Sequence, residues 1–299
     1  MSGGRALDVL DAGMLTTVQD AGRPGLAHLG VPRSGWLDAG SARLANRLVG
    51  NPDLDGPDGG PGEALLECLG GGLALRTRTA LTVALTGAPV DLRVDSRPVA
   101  YAEPVTVAAG ATIALGRPTS GVRSYLAVAG GVRVPTVLGS RSTDTLSGIG
   151  PAPLAAGDEL PVGPAPGPPA ALDTPGRVGT SAPTATTTML RVGPGPRADW
   201  FVDGLDALLG GAPYTVAGEA DRIGVRLEGP CLARSVTAEL PSEGLVLGAV
   251  QVPADGQPLV FLRDHPTTGG YPVVAVVHRD DLDRVAQLRP GDAVRFRRG

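Results

Sequence analysis

The sequence predicts a mainly β protein built as two related lobes with a few short helices. Three observations carry that reading. Glycine (45) and proline (29) together make about a quarter of the 299 residues, and they punctuate short Val/Leu/Ala runs as tight turns punctuate strands. One segment, residues 163–188, holds six prolines and almost no large apolar side chain, too little to bury for the entropy of ordering it. Motifs on its two sides recur in the same order. Glu67 stands twenty residues before Gly87-Ala88, Glu228 stands twenty before Gly248-Ala249, and each half closes on a Gly-Asp turn, "LAAGDELPV" and "LRPGDAVRF". The expected domains are therefore a lobe at 1–162, a linker at 163–188 and a lobe at 189–299. Each lobe is expected to close as a barrel, which removes exposed strand edges.

Taken in chain order, the first helix is expected in "LDAGSARLANRLVGNP", where Leu37, Leu44, Ala45 and Leu48 share a face and Gly50-Asn51-Pro52 ends the run. "ALTVALTG", "VTVAAGATIALG" and "SYLAVAGGVRV" read as strands. Beyond the linker, "RADWFVDGLDALLGG" groups Phe201, Leu205, Leu208 and Leu209 on a second helix. "LVFL" and "PVVAVVH" read as strands, and "RDDLDRVAQLRPGD" as a short third helix with Leu282, Val285 and Ala286 inward. The basic end "RFRRG" reads as a solvated tail.

Composition excludes several function classes. Net charge is −4, and no basic stripe is interleaved with aromatics, which make only 3% of the chain; nucleic-acid binding is not expected. No apolar run approaches the roughly 20 residues that span a bilayer, and "MSGGRALDVLD" lacks the pattern of a secretory leader. A cytoplasmic location is expected, with Cys68 and Cys231 as reduced core residues and no metal site, since no His/Cys cluster has ligand spacing.

Three stretches could carry chemistry. "TTVQDAGRPGLAHLGVPRSGWLD" gathers Gln19, Asp20, Arg23, Ser34 and Asp38 among turns; Arg23 could offer its fork to an anion, or pair internally with Asp20. "LGSRSTDTLSGIG" places Ser140, Arg141, Ser142, Thr143 and Asp144 after a strand, a hydroxyl-rich anion cradle without the ending of a P-loop. The third comprises "DRIGVRLEG", "PSEGLVLGAVQVPADGQP" and "DHPTTGGYP", where Arg222, Glu243, Gln251, Gln257 and Asp264 interrupt apolar strands. In "DHPTTGGYP", the glycines admit a ligand close to backbone. Thr267 and Thr268 supply hydroxyls, and Tyr271 a flat face with a polar tip. Asp264 could serve as general base or cap a turn, and a hairpin turn remains the structural alternative for the whole stretch.

These motifs, with "SYLAVAGG" and "VLGSRSTDT", closely resemble those of the KipA-type proteins, also called allophanate hydrolase subunit 2, the biotin-dependent carboxyltransferase-like family, or the C subunit of 5-oxoprolinase. The resemblance covers nearly the whole chain apart from the linker, in the same order. Pro266 and His265 stand where many members carry Gln and a basic residue. The resemblance implies cyclophilin-like β-barrel lobes. It also implies work beside two partners, a KipI-type B component and a LamB/YcsF-type A component, in a complex that uses ATP to convert 5-oxoproline to glutamate. Relatives within urea carboxylase imply an alternative, transfer of a carboxyl group from carboxybiotin to urea. A further alternative is a non-enzymatic antagonist of a KipI-type kinase inhibitor. In these readings Asp264, Thr267, Thr268 and Tyr271 are the candidate catalytic residues. Arg222, Gln251, Arg141, Ser142, Asp20 and Arg23 are the candidates for substrate binding, and a homo-oligomer is compatible with all of them.

Overall fold

A computed structural model describes residues 4–52, 62–167 and 187–299. Most of the Pro-rich stretch 163–188 therefore lies outside the described residues. The chain divides into two compact units. The first takes the described residues of Met1–Arg23, Ser34–Asp144 and Gly148–Ala182; the second takes those of Pro24–Arg33, Thr145–Ser147 and Pro183–Gly299.

The first unit runs β1 (Ala6–Ala12), β2 (Leu15–Gln19), α1 (Ala39–Leu48), β3 (Leu65–Leu69), β4 (Leu73–Thr77), β5 (Leu81–Gly87), β6 (Leu92–Val94), β7 (Arg97–Pro98), β8 (Val105–Val107), β9 (Thr112–Leu115), β10 (Arg123–Val128) and β11 (Glu159–Pro161). These strands form a six-stranded sheet, β11-β1-β4-β9-β6-β7, and a five-stranded sheet, β2-β3-β10-β5-β8. One apolar core takes side chains from both sheets, among them Leu7, Leu75, Ile113, Leu66, Leu85 and Leu126. Helix α1 covers the other face of the five-stranded sheet, packing Ala42, Ala45 and Leu48 against Leu65, Ala84, Tyr125 and Ala127. This explains why β10, "RSYLAV", is buried at every position. Successive side chains point to opposite faces, and here both faces are covered.

The second unit runs β12 (Thr187–Pro194), α2 (Asp206–Leu209), β13 (Tyr214–Ala220), β14 (Gly224–Glu228), β15 (Glu243–Gly244), β16 (Ala249–Gln251), β17 (Leu259–Phe261), β18 (Thr268–Gly269), β19 (Val273–Val277), α3 (Leu282–Val285) and β20 (Ala293–Arg298). Seven of these strands close a barrel, β12-β19-β16-β17-β14-β13-β20, and β15 pairs with β18 in a separate ribbon. The mainly β class with few short helices holds, and the closed barrel is consistent with the cyclophilin-like expectation. The recurring Glu and Gly-Ala motifs have a limited structural counterpart. β3 and β5 flank a common antiparallel strand, β10, and β14 and β16 flank β17. However, β17 directly follows β16 in sequence, whereas β10 comes after four further strands, and β4 of the other sheet lies between β3 and β5. The likeness is of strand pairs, without a repeated strand order.

Three local expectations are corrected. The second helix shrinks to a single turn, with a 3₁₀ turn before it at Ala198–Trp200, whereas the third is short as expected, a 3₁₀ turn at Arg279–Asp281 running into α3 with Leu282, Val285 and Ala286 buried. Cys231 is exposed, while Cys68 is buried, with its thiol pushed up to about 12 by that burial. The "RFRRG" end belongs to β20. Val294 and Phe296 point inward between exposed arginines, and β20 closes the barrel in parallel with β12 and antiparallel with β13. The Phe296 ring meets Tyr214 edge-on, with centroids 5.8 Å apart. Phe296→Leu removes that contact and part of the buried volume, an expected cost of about 1–2 kcal/mol. The shift in urea midpoint at constant slope measures it, and an unchanged midpoint would deny β20 its place in the core.

Candidate functional site

In the first unit, the segment after β2 meets the hydroxyl-rich loop that was expected to cradle an anion. The carboxylate it cradles is the protein's own. Asp20 is fully buried. It accepts hydrogen bonds from the hydroxyls of Ser140 (2.6 Å) and Ser142 (2.7 Å), and from the backbone N–H groups of Arg141 (2.6 Å) and Gly22 (2.8 Å). Four donors on one carboxylate satisfy a buried charge without water. Arg23, also buried, donates to the Ser142 carbonyl. Gly150 allows this approach: at φ +97°, a Cβ there would stand 2.1 Å from that carbonyl oxygen. Arg141 turns its Nε to the Val134 carbonyl at 3.0 Å. Beside them the Gln19 amide donates to the Thr143 carbonyl, which also accepts from the Ser34 hydroxyl. The structure thus brings Asp20, Arg23, Arg141 and Ser142 together, as parts of one internally bonded loop pair.

The other six predicted residues lie in the second unit, and the strand register divides them. β14 starts where β17 ends, Gly224 opposite Phe261; β16 runs antiparallel to β17 and β19, so that Gln251 pairs with Leu259 and Val273 at the other end. Arg222 and Asp264 occupy the first end. Their side chains are buried and bidentate, with Nε–Oδ2 2.9 Å and Nη2–Oδ1 3.1 Å. Thr145, from the short stretch that belongs to this unit, adds its N–H and its hydroxyl to Asp264 Oδ2 at 2.9 and 2.8 Å. The Asp264 N–H in turn donates to the Arg222 carbonyl.

At the other end, the buried Gln251 amide donates to the Tyr271 carbonyl at 3.0 Å. Gly269 packs so closely that a Cβ would lie 2.8 Å from that amide nitrogen. Thr268 and Gly269 form β18, paired with Gly244 and Glu243 of β15, and the Thr267 carbonyl accepts from Leu245. The ribbon is tied down by Arg197, whose guanidinium bonds Glu243 and holds that carboxyl below its usual range. Thr268 and Tyr271 are exposed on it and Thr267 is half-buried. The Arg234 guanidinium lies 5.9 Å from the Tyr271 ring centroid, at cation–π range, and donates to the Val252 carbonyl. His265 places Nδ1 2.7 Å from the Pro266 carbonyl.

Sequence reasoning passed over Thr145 and Arg234. The first is one Thr in a hydroxyl-rich run. The second lies some forty residues from Tyr271, so only the fold reveals their meeting. Among the described residues, no three His, Cys, Asp or Glu side chains converge as a metal site, and no helix is long and apolar enough to cross a membrane.

Residues 29–298 match the family described as carboxyltransferase domain, subdomain A and B. The chain belongs to this family. It is 38% identical to the C subunit of Escherichia coli 5-oxoprolinase over 97% of its own length and 90% of that protein's. It is 33% identical to the urea amidolyase of Saccharomyces cerevisiae over 97% of its length, which amounts to 16% of that much longer chain. The solved urea carboxylase of Kluyveromyces lactis superposes with a TM-score of 0.85 at 30% identity, covering 99% of this chain and 28% of that one.

Proposed function

We propose that the chain is the C subunit of an ATP-dependent 5-oxoprolinase and that the β15–β18 ribbon faces its substrate. The observation that carries this reading is the 38% identity to the corresponding Escherichia coli protein along nearly the full length of both chains. The geometry supports the placement. Thr268 and Tyr271 present polar atoms outward on a backbone pinned by Gln251, Leu245 and Glu243. Fixed donors on a rigid element suit a reaction in which a planar lactam gains negative charge as it is activated. ATP enters as a substrate of the assembled complex. The loop at residues 138–150 lacks the ending of a P-loop, and the ribbon's contribution to the reaction is donors and positioning. The buried Arg222–Asp264–Thr145 set fixes the segment that leads from β17 into the ribbon.

The partners that the family resemblance implies are a KipI-type B component and a LamB/YcsF-type A component. The purified chain is expected to show no 5-oxoproline-dependent ATP hydrolysis, with turnover appearing when both partners are added. Turnover by the chain alone would sink this multi-component reading. The urea amidolyase and urea carboxylase likenesses favour one second reading, carboxyl transfer from carboxybiotin to urea. Urea-dependent loss of carboxybiotin on the isolated chain would establish that activity in place of the first.

A further inference from the structure

Arg263 has no role in the reading above, and its surroundings are unusual. It follows β17 by two residues, Arg279 follows β19 by two, and Arg222 precedes β14 by two. β17 and β19 are both antiparallel to β16, and β14 is antiparallel to β17. All three arginines therefore emerge at one end of the closed barrel. Backbone bonds from Leu262 to Ile223 and from Asp264 to Arg222 hold Arg263 in register there.

Arg222 is matched by Asp264. Arg263 has no hydrogen bond or ion pair among the described residues. Burial, then the positive charges of Arg33, Arg222 and Arg279, push its guanidinium down to about 10, against the opposing pull of Asp283. It remains charged at neutral pH. The neighbouring Asp280 and Asp281 are engaged by Arg191. Arg263 is nevertheless only half-buried, and none of its nitrogens is sealed from solvent. The group thus sits low in the surface yet stays reachable. With Arg222 matched by Asp264, Arg263 and Arg279 remain as two guanidiniums with no ion pair among the described residues. An uncompensated charge in so enclosed a place costs stability unless something binds it.

We propose that this end of the barrel is a binding site for a phosphate dianion, with Arg263 at its base and Arg33 and Arg279 beside it. Guanidinium forks match phosphate oxygens bidentately, and two guanidiniums match a dianion better than a carboxylate. The site is independent of the 5-oxoproline reading and would persist if that reading failed.

The test titrates the full chain with inorganic phosphate, adenosine 5′-monophosphate and acetate at constant ionic strength, following binding by calorimetry and Tm by thermal denaturation. Saturable phosphate binding that raises Tm is expected, weakened roughly 10-fold or more by Arg263→Gln or Arg279→Gln. Arg226→Gln, at an exposed ion pair with Asp255, serves as control and should leave it unchanged. Without phosphate, Arg263→Gln should keep or raise Tm, because it relieves repulsion; a lowered Tm would mark Arg263 as a structural residue and overturn the proposal. So would absence of saturable phosphate binding, equal binding by Arg263→Gln, or acetate binding as tightly as phosphate. Tighter binding of the nucleotide than of phosphate supports the site and assigns its source as a nucleotide; equal binding supports it and assigns free phosphate.

Discussion

Asp264→Ala is expected to cost about 3–5 kcal/mol of stability, the range for removing one partner of a buried ion pair. The reason lies in what the substitution leaves behind. Asp264 is wholly inaccessible and Arg222 nearly so, and the carboxylate also satisfies the N–H and hydroxyl of Thr145. Alanine would take the carboxylate from a buried guanidinium and from two further donors, in a place where Arg263 already adds positive charge. Replacing both partners, Arg222→Met with Asp264→Leu, should recover much of the loss, because no charge then remains uncompensated. Urea midpoints of the single and double variants measure both statements. A single variant within about 0.5 kcal/mol of wild type would mean that water enters this end of the barrel freely.

The second large effect is on turnover. In the reconstituted complex, Thr268→Val is expected to lower turnover by roughly 10²–10³-fold, the size of loss seen when one donor to a transition-state charge is removed. Its stability should change by no more than about 0.5 kcal/mol. The ribbon is held by backbone pairing with Gly244, which a β-branched replacement preserves. Tyr271→Phe keeps the ring under Arg234 and removes only the hydroxyl, and Thr267→Val leaves the carbonyl bond to Leu245 intact. If these hydroxyls merely pin a turn, Tm falls and turnover per folded molecule does not. Wild-type turnover in all three variants would remove the ribbon from the active site.

How legible was this molecule in its residues? Alternation and turn chemistry located the strands around Leu126, Val260 and Val274, because side-chain period and glycine placement are local properties. The same alternation was present in "AVRFRR", but a run of arginines at the chain end outweighed it; only pairing with β12, about a hundred residues earlier, reveals a barrel strand. Helix length was overestimated at Leu205–Leu209 because an apolar face does not fix how far a helix runs. The serines around residue 140 were recognisable as an anion cradle, while the identity of the anion, Asp20, depended on a contact 120 residues away. Arg234 and Arg263 gave no local signal. What sets them apart is the ring beside one and the charges around the other, and both are products of folding.

The parallel pairing of β12 with β20 also bears on how the chain is made. The strand that opens the barrel in sequence has as its neighbour the one that closes it, Thr187 opposite Ala293 and Val192 opposite Arg298. During synthesis, β12 and β13 emerge early and must wait for some eighty to a hundred further residues, several seconds or more of translation at about 5–20 residues per second, before β20 arrives between them. Until β20 arrives, β12 and β13 each keep an unpaired edge, a form exposed to strand addition from a neighbouring chain. A ribosome that stalls a few codons before residue 293 therefore releases an edge-bearing, aggregation-prone polypeptide rather than a slightly shortened barrel.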